Sequence, residues 1–503
     1  MITCEEKTVA DWKAPAQDGE ILLWPDARCL IEQTQDNHRR LAAADPVRLQ
    51  RIPLPEVRRQ GRQWLGHDEN AGILVAAGHQ IELLHPGVWA KDVLINELAQ
   101  RMGGSAYHFA VDTDVPKHLQ LRWPGTVLPL TDDPNAQTAA WDALIEAPTP
   151  AHLKYLETTF QQAQASWPFQ SMLGGFLDIM RRLGLESSNL TWVLTNAIHQ
   201  LDWNLGLRYH AMLASPIWLS PAYLLFVYHV LARADSFAAT YNQTLQEYRR
   251  ENHIRHMGRP WPDLKATAEE CEVPFWLDCL DADRRQRAKV VRRGISWHLR
   301  LANGAELELD QSADGWTAAN HLARFLMAGR VRLSPRALTL TAFFRLAIVD
   351  QFVHGIGGAR YDEVTDRVIA RWFGIEPPRF SVTTATLWFP TALNHRRIDV
   401  HPLLVEGRRI RHNWLGEEKL RMVRRIASLP RKSEERRQLF YQMHKQLAAV
   451  VDKPVYLDWE HRLDDSWRMA RQQQEIFDRE LFYAIQPEPR LRELISQYRD
   501  CLR

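Results

Sequence analysis

The sequence predicts an α/β protein built on a parallel sheet, and three neighbouring stretches carry that prediction. Ile73-Leu74-Val75-Ala76-Ala77 is a continuous apolar run, as a strand covered on both faces requires. Val88 to Met102 places Val88, Leu94, Ile95, Leu98 and Met102 near helical spacing. Tyr107 to Val111 is a second strand of buried character. Strand, loop, helix and strand within about 40 residues make a βαβ unit, which needs a parallel sheet.

The remaining elements follow in chain order. The first 70 or so residues mix short apolar stretches with Pro- and Arg-rich connections such as Pro53-Leu54-Pro55 and Arg58-Arg59, a lead-in that packs onto something else. Together with the βαβ unit they make the first expected region, 1–135. Gly78-His79-Gln80 ends the first strand, Pro86-Gly87 precedes the helix, and Gly103-Gly104 closes it, as glycine past a helix end does. Region 136–330 is expected to be a mainly helical insertion, punctuated by Ala147-Pro148-Thr149-Pro150 and Ser215-Pro216. It carries a small β-subdomain at about 273–312, where Phe275-Trp276-Leu277, Lys289-Val290-Val291, Ile295 to Leu299 and Glu306 to Leu309 alternate like antiparallel strands. In region 331–412 the α/β pattern resumes, with a strand at Arg336 to Leu340, a helix over Ala342 to Phe352 and the glycine-rich turn His354 to Glu363. In region 413–503, Leu415 to Leu447 and Leu463 to Tyr498 read as long amphipathic helices of a coiled hairpin, with Pro430 breaking the first.

Composition removes several function classes. The 503 residues are 45% hydrophobic and 25% charged, which excludes disorder over most of the chain. Sixty-three Lys and Arg face 61 Asp and Glu, and a formal charge of +2 argues against a nucleic-acid partner. The start Met1-Ile2-Thr3-Cys4-Glu5-Glu6 lacks the pattern of an export signal, and Ala222 to Ala234 is too short to span a bilayer. Five scattered cysteines, Cys4, Cys29, Cys271, Cys279 and Cys501, suggest no disulfide framework, no zinc site and a reduced cytoplasm. Nineteen tryptophans indicate an elaborate core or aromatic clefts without saying which. No serine-hydrolase elbow, HExxH helix or kinase signature is present.

Two loops carry the candidate chemistry. In a parallel sheet ligands collect outside the carboxyl ends of the strands. Gly78-His79-Gln80 and Asp112-Thr113-Asp114 end two adjacent strands, so both project onto that edge. His79 suits acid–base work near neutrality, and Asp112 and Asp114 suit an amine, a hydroxyl or a cation, unless these residues only cap turns. The second loop, His354-Gly355-Ile356-Gly357-Gly358-Ala359-Arg360-Tyr361-Asp362-Glu363, offers backbone N–H groups at a helix N-terminus, with Arg360 to grip an anion. It matches neither the dinucleotide fingerprint nor a Walker A loop, and a tight structural turn is its bland alternative. The basic stretch Arg396-Arg397, Arg408-Arg409, Arg411, Arg424-Arg425 and Arg431-Lys432 is interspersed with glutamates and reads as a solvated helix face.

At these loops the sequence resembles the bacillithiol-biosynthesis cysteine-adding enzyme family, whose core is similar to that of class I aminoacyl-tRNA synthetases. The run Gly78-His79-Gln80, Pro86-Gly87 and Lys91 stands where that family has a Thr-Gly-Gln-Gln-like turn, a Gly-Pro and a lysine. Asp112-Thr113-Asp114 stands in place of its acidic cluster, and Ser334-Pro335-Arg336 with Gly357-Gly358 to Glu363 resembles its Arg-Pro strand and Gly-Gly-Pro-Gly-Glu turn. The similarity covers about 72–115 and 332–390. His79 replaces a glutamine, Thr113 replaces a histidine, and Ala-Arg-Tyr-Asp replaces Pro-Gly before Glu363.

The resemblance implies a Rossmann-like, class I synthetase-like core and a cytoplasmic ligase or transferase. Such an enzyme joins an amine- or thiol-bearing metabolite to a second one. His79, Asp112, Asp114 and Lys91 are the expected catalytic residues. Gly78, Gln80, Gly87, His354, Gly355, Gly357, Gly358, Arg360 and Glu363 are the expected ligand-binding set, with ATP or ADP as the candidate nucleotide and no metal. The alternative is a non-catalytic scaffold, dimerising or holding a partner along the seam of Leu415, Met422, Ile426 and Leu429.

Overall fold

A computed structural model describes residues 12–67, 72–115, 117–256, 258–259, 261–395 and 397–503. The chain is a mixed α/β protein with a mainly parallel central sheet. Its strands are β1 (Ile21–Trp24), β2 (Leu74–Gln80), β3 (Ser105–Val111), β4 (His210–Leu213), β5 (Gln351–His354) and β6 (Ser381–Ala385). They lie in the order β1-β6-β5-β2-β3-β4, with β1 antiparallel to β6 and every other pair parallel. From β2 the chain proceeds to β3 on one side, whereas from β5 it proceeds to β6 on the other. The strand order therefore reverses between β2 and β5, the place where a parallel sheet opens a crevice at its carboxyl edge.

Two compact units divide the described chain, one comprising the residues up to Arg122, Thr126–Leu387 and Arg479–Arg503, the other Trp123–Gly125 with Trp388–Asp478. In the first unit, β2 is buried from Leu74 to Ala77, as its unbroken apolar run predicts. The helix after it runs Pro86–Met102. It starts two residues before the expected Val88 because His85 caps it, accepting from Gly87 N at 3.1 Å, and Pro86 is preset for a first helical turn. Gly103, at φ 63°, ends it as expected.

β2 and β5 are tied at their opposite, amino ends. Asp350, just before β5, accepts from Leu74 N, Arg58 Nη2 and Arg62 Nη2, each at 2.8 Å. Burial opposes its ionisation, but His38, Arg58 and Arg62 hold the carboxyl down to about 2. The helix Ala27–Ala42 adds Gln33 and Thr34, both donating to Gln351 Oε1. The lead-in thus clamps the base of the strand pair whose tips form the crevice.

Three expectations about elements are corrected. His210–Leu213 lies inside the stretch expected to be helical, yet pairs with β3 as an edge strand. Four residues, one exposed and three half-buried, are too few to show a period-2 pattern. The strand expected at Arg336 to Leu340 is instead Val331–Pro335, an edge of the antiparallel sheet formed with Glu270–Cys279, Arg284–Arg293, Ser296–Arg300 and Glu306–Leu309. Residues Ala337–Phe343 are helical, running into a wider turn at Phe344–Ile348, so the helix expected over Ala342 to Phe352 stops where β5 begins.

The second unit is helical after residue 400. Its helices are His401–Asn413, Glu417–Ser428, Glu434–Ala448 and Pro454–Gln474. The first break after Leu415 falls at Pro430, as expected, since proline cannot continue the ladder. Ile426, Met443 and Leu447 pack one helix pair, and Val450, Tyr456 and Trp459 pack the other against Leu403 and Ile410. Glu488–Cys501 is a separate helix of the first unit, where Arg499 Nε pairs with Glu97 at 3.0 Å. Arg396 and Cys4 lie outside the described residues. Cys271, Cys279 and Cys501 are free, whereas Cys29 is disulfide-bonded. No helix among the described residues is long and apolar enough to cross a membrane.

Candidate functional site

The crevice between the tips of β2 and β5 is a cavity of about 500 Å³ in the first unit. Both loops singled out in the sequence line it. Gly78, His79, Gln80, Gly87, Lys91 and Asp114 come from the first βαβ unit, and His354, Gly355, Gly357 and Gly358 from the turn after β5. Phe352, Leu340, Trp261 and Tyr361 supply an apolar wall.

The turn after β5 enters the helix Ile356–Val368 with Gly355 as its N-cap and no side-chain capping bond. The first N–H groups of a helix have no intrahelical partner and carry the positive end of its dipole. A Cβ at Gly355 or Gly357 would meet nothing within 4 Å, so this terminus is open to the cavity. Gly358 has a different reason to be glycine, since a Cβ there would stand 2.9 Å from His354 Nδ1.

His354 is buried and its Nε2 lies 2.9 Å from Asp362 Oδ2. Asp362 also accepts from Arg345 Nη1 and from Thr341 Oγ1, both at 2.6 Å. Burial opposes ionisation of Asp362, but Arg345 and His354 outweigh it and hold the carboxyl below the usual range. This fixed chain orients the His354 ring at the cavity wall.

On the β2 side, His79 Nδ1 lies 3.1 Å from Gln80 O and 3.3 Å from Glu82 Oε1. Both neighbours are acceptors, which places the proton on Nδ1 and leaves Nε2 as the acceptor. Burial, then the Lys91 charge, keep His79 well below the usual imidazole range and so neutral. Gln80 Nε2 donates to Asp114, and Lys91 Nζ donates to Gly78 O at 3.0 Å. Burial lowers the Lys91 ammonium to about 8.

A further cation enters from the far end of the sequence. Arg479 Nη2 donates to Thr384 Oγ1 and Ala385 O, both at 2.9 Å, while its buried Nε makes no hydrogen bond among the described residues. The cavity thus brings a neutral imidazole together with an open helix N-terminus and two cations, Lys91 and Arg479. Chemically, such a set of groups is suited to an anionic group and to accepting a proton from a neighbouring nucleophile.

Three of the expected site residues do not line the cavity. Asp112 is buried behind β3, where Oδ1 accepts from Ser215 N at 2.8 Å and Oδ2 from Ser215 Oγ. Arg360 points from the other face of its helix and donates to Trp12 O at 3.2 Å. Glu363, one further along that helix, lies beside Arg367, Asp366 and Glu251. Helical geometry explains both, because Gly358, Tyr361 and Asp362 share the face that lines the crevice, and Arg360 and Glu363 lie off it. Sequence reasoning missed His85, Thr341, Asp362, Thr384 and Arg479. His85-Pro86 before an apolar-periodic run was a capping signal within reach; nothing local marks Arg479.

Among the described residues no group of three His, Cys, Asp or Glu side chains could hold a metal ion. No protein-family model and no curated protein matches the chain.

Proposed function

We propose that the chain is an enzyme that joins an amine- or thiol-bearing metabolite to a second small molecule in the switch-point cavity. In this reading the core is Rossmann-like and of class I synthetase type, and the reaction is of the ligase or transferase kind suggested by the resemblance to the cysteine-adding family. The observation that supports it most is the meeting of the β2 and β5 loops in one cavity, with a neutral His79 facing groups that favour an anion. The anionic reactant, carboxylate or nucleotide phosphate of ATP or ADP type, docks at Gly355 to Gly358 and Arg479. His79 Nε2 accepts the proton of the attacking amine or thiol as its N–C or S–C bond forms to the electrophilic carbon of the second reactant, and Lys91 offsets the negative charge that develops there. The bond from that carbon to its leaving group then breaks, and the leaving group departs with the electron pair and takes the proton back from His79. Asp112 has no part in this step.

The test is a thermal-shift screen of the wild type against ATP, ADP, AMP, cysteine, other amino acids and glucosaminyl malate, followed by turnover assays with the hits. A ligand that stabilises the wild type but not Arg479→Ala, and a turnover lost in His79→Ala, are the expected results. A shift of about 2.7 kcal/mol accompanies saturation at ~100 times the dissociation constant. Equal turnover in wild type and His79→Ala would sink the assignment of the base.

A second reading, a scaffold that dimerises through a coiled hairpin, is favoured by the apolar side chains exposed on the second unit, among them Tyr441 at 75% and Phe440 at 51%. A monomer in light scattering, with pocket-dependent turnover, decides against it.

A further inference from the structure

The apolar wall of the switch-point cavity has no part in holding an anion or moving a proton. Phe352 is buried in it, and Leu340 and Ile356 are half-buried. Two aromatic rings complete the wall, Trp261 half-buried and Tyr361 45% exposed. Their ring centroids are 5.5 Å apart and their planes are tilted by 52°. Tilted in this way they do not stack face on face, and the exposure of Tyr361 shows that much of its ring meets solvent.

Both rings are placed by specific features of the chain. Tyr361 follows Gly357 by four residues and Gly358 by three on the helix Ile356–Val368. Side chains at that spacing share a face and lean toward the helix N-terminus, so the Tyr361 ring stands over the open first turn. Trp261 lies on a loop that the helix Ala234–Glu251 holds in place. Arg249 of that helix, 4% exposed, commits its guanidinium to the loop. Its Nε donates to Arg259 O at 2.9 Å, and Nη2 and Nη1 donate to Trp261 O and Asp263 Oδ1, both at 2.5 Å. Asn242 Nδ2 donates to Leu264 O and its Oδ1 accepts from Leu264 N, each at 2.8 Å. An indole on so braced a loop is already in position for a ligand, and binding to it orders little of the protein.

We propose that the reactant docked by its anionic group at Gly355 to Gly358 and Arg479 is an aromatic acid, a flat ring bearing a carboxylate or a phosphate, and that its ring packs on Tyr361 and Trp261. The inference rests on the functional reading above and adds to it the chemical class of that reactant and two residues that select it. Pockets that pair a few polar anchors with an aromatic wall suit ligands of this divided character. An aliphatic anion of the same charge engages the polar groups and leaves the aromatic wall wet.

Isothermal titration of the full chain tests this with inorganic phosphate against phenyl phosphate, acetate against phenylacetate, and AMP. The ring-bearing probes should bind about tenfold tighter or more than the ring-free anions, the gain that stacking on an aromatic side chain gives. Trp261→Ala and Tyr361→Ala should each remove most of that gain and leave the affinity for inorganic phosphate within about twofold of the wild type. Tyr361→Phe should keep it, and Arg479→Ala should weaken every probe. Unchanged phosphate binding also reports an intact cavity; where Trp261→Ala loses it, Tyr361→Ala, at an exposed ring, decides. The ring-bearing probe with the largest loss in the variants names the anion and tells a nucleotide from a simpler aryl acid. Equal affinities with and without a ring, weakened alike by Arg479→Ala, overturn the ring subsite and leave the functional reading standing. A preference for the ring that survives in both alanine variants does the same. Binding of no probe, or binding indifferent to Arg479→Ala, overturns both.

Discussion

The Lys91 ammonium donates to the Gly78 carbonyl oxygen at 3.0 Å, tying the second turn of the helix Pro86–Met102 to the tip of the strand that precedes it. The side chain is 2% exposed, and the tie is made where β2 enters the cavity. It places a buried cation beside the neutral His79 and makes the acid–base state of the crevice depend on one amine.

Lys91→Met should therefore change how stability depends on pH. Burial lowers the folded-state value from 10.5 to about 8, so between those values the unfolded chain holds a proton that the folded one has lost. Wild-type stability rises with pH across that window, as the penalty for burying the charge, fully present below 8, is relieved. The variant lacks this dependence. Urea unfolding at pH 7.5 and 10 should show the wild type gaining on the variant by about 3 kcal/mol at most.

Gly87→Ala tests the packing of Arg479. A Cβ at Gly87 would collide with the Arg479 guanidinium and stand 2.5 Å from Thr384 Oγ1. Neither Arg479, held at Thr384 and Ala385, nor the strand can yield freely. The variant should lose about 1–3 kcal/mol of stability, and anion binding in the switch-point cavity should weaken with the displaced guanidinium. Thermal unfolding with and without inorganic phosphate reads both effects.

Asp112→Asn separates a structural from a chemical role. Its carboxylate accepts from the Ser215 N–H and hydroxyl, away from the cavity. The amide presents only one acceptor oxygen to those two donors, so about 1–3 kcal/mol of stability should be lost. Turnover per folded molecule should stay within a factor of two or so of the wild type by the same argument. A large loss of turnover at unchanged stability would return Asp112 to the chemistry.

Asp142→Asn should stabilise the protein, more at high pH than at low. Its carboxylate is fully buried, neither oxygen has a hydrogen-bond partner among the described residues, and burial with the Asp114 charge pushes it up to about 8. Between about 4 and 8 the folded state keeps a proton that the unfolded state has released, so wild-type stability falls as pH rises. The asparagine removes that penalty. The difference in unfolding free energy should be near zero at pH 4 and reach a few kcal/mol at pH 8. A difference independent of pH would mean that Asp142 ionises normally in the fold.

Legibility in the sequence followed the range of the interactions involved. The apolar run Leu74–Ala77, the helical spacing to Met102 and the closing Gly103 are local signals, and each element formed where its pattern stood. Pro430 ended a helix because the missing N–H is a property of the residue itself. By contrast, β4 has only four residues, none of them fully buried, and its strand conformation comes from pairing with β3. Val331–Pro335 lies beside Glu270–Cys279 for the same reason, so the strand expected at Arg336 was shifted.

The sequence alone marked Gly78-His79-Gln80 at the end of a strand and the glycine-rich turn from His354 into a helix, because strand ends, glycine turns and helix starts are written within a few neighbouring positions; it did not mark β5, which stands where the end of a helix was expected. Tertiary structure decided which of them share a cavity. The reversal of strand order brings His79 and His354 to one crevice, and the direction of the helix Ile356–Val368 turns Arg360 and Glu363 away from it. It also delivers Arg479 from the other end of the chain and fixes Asp112 on Ser215. Those choices depend on pairing and burial between distant segments, which one stretch of sequence does not encode.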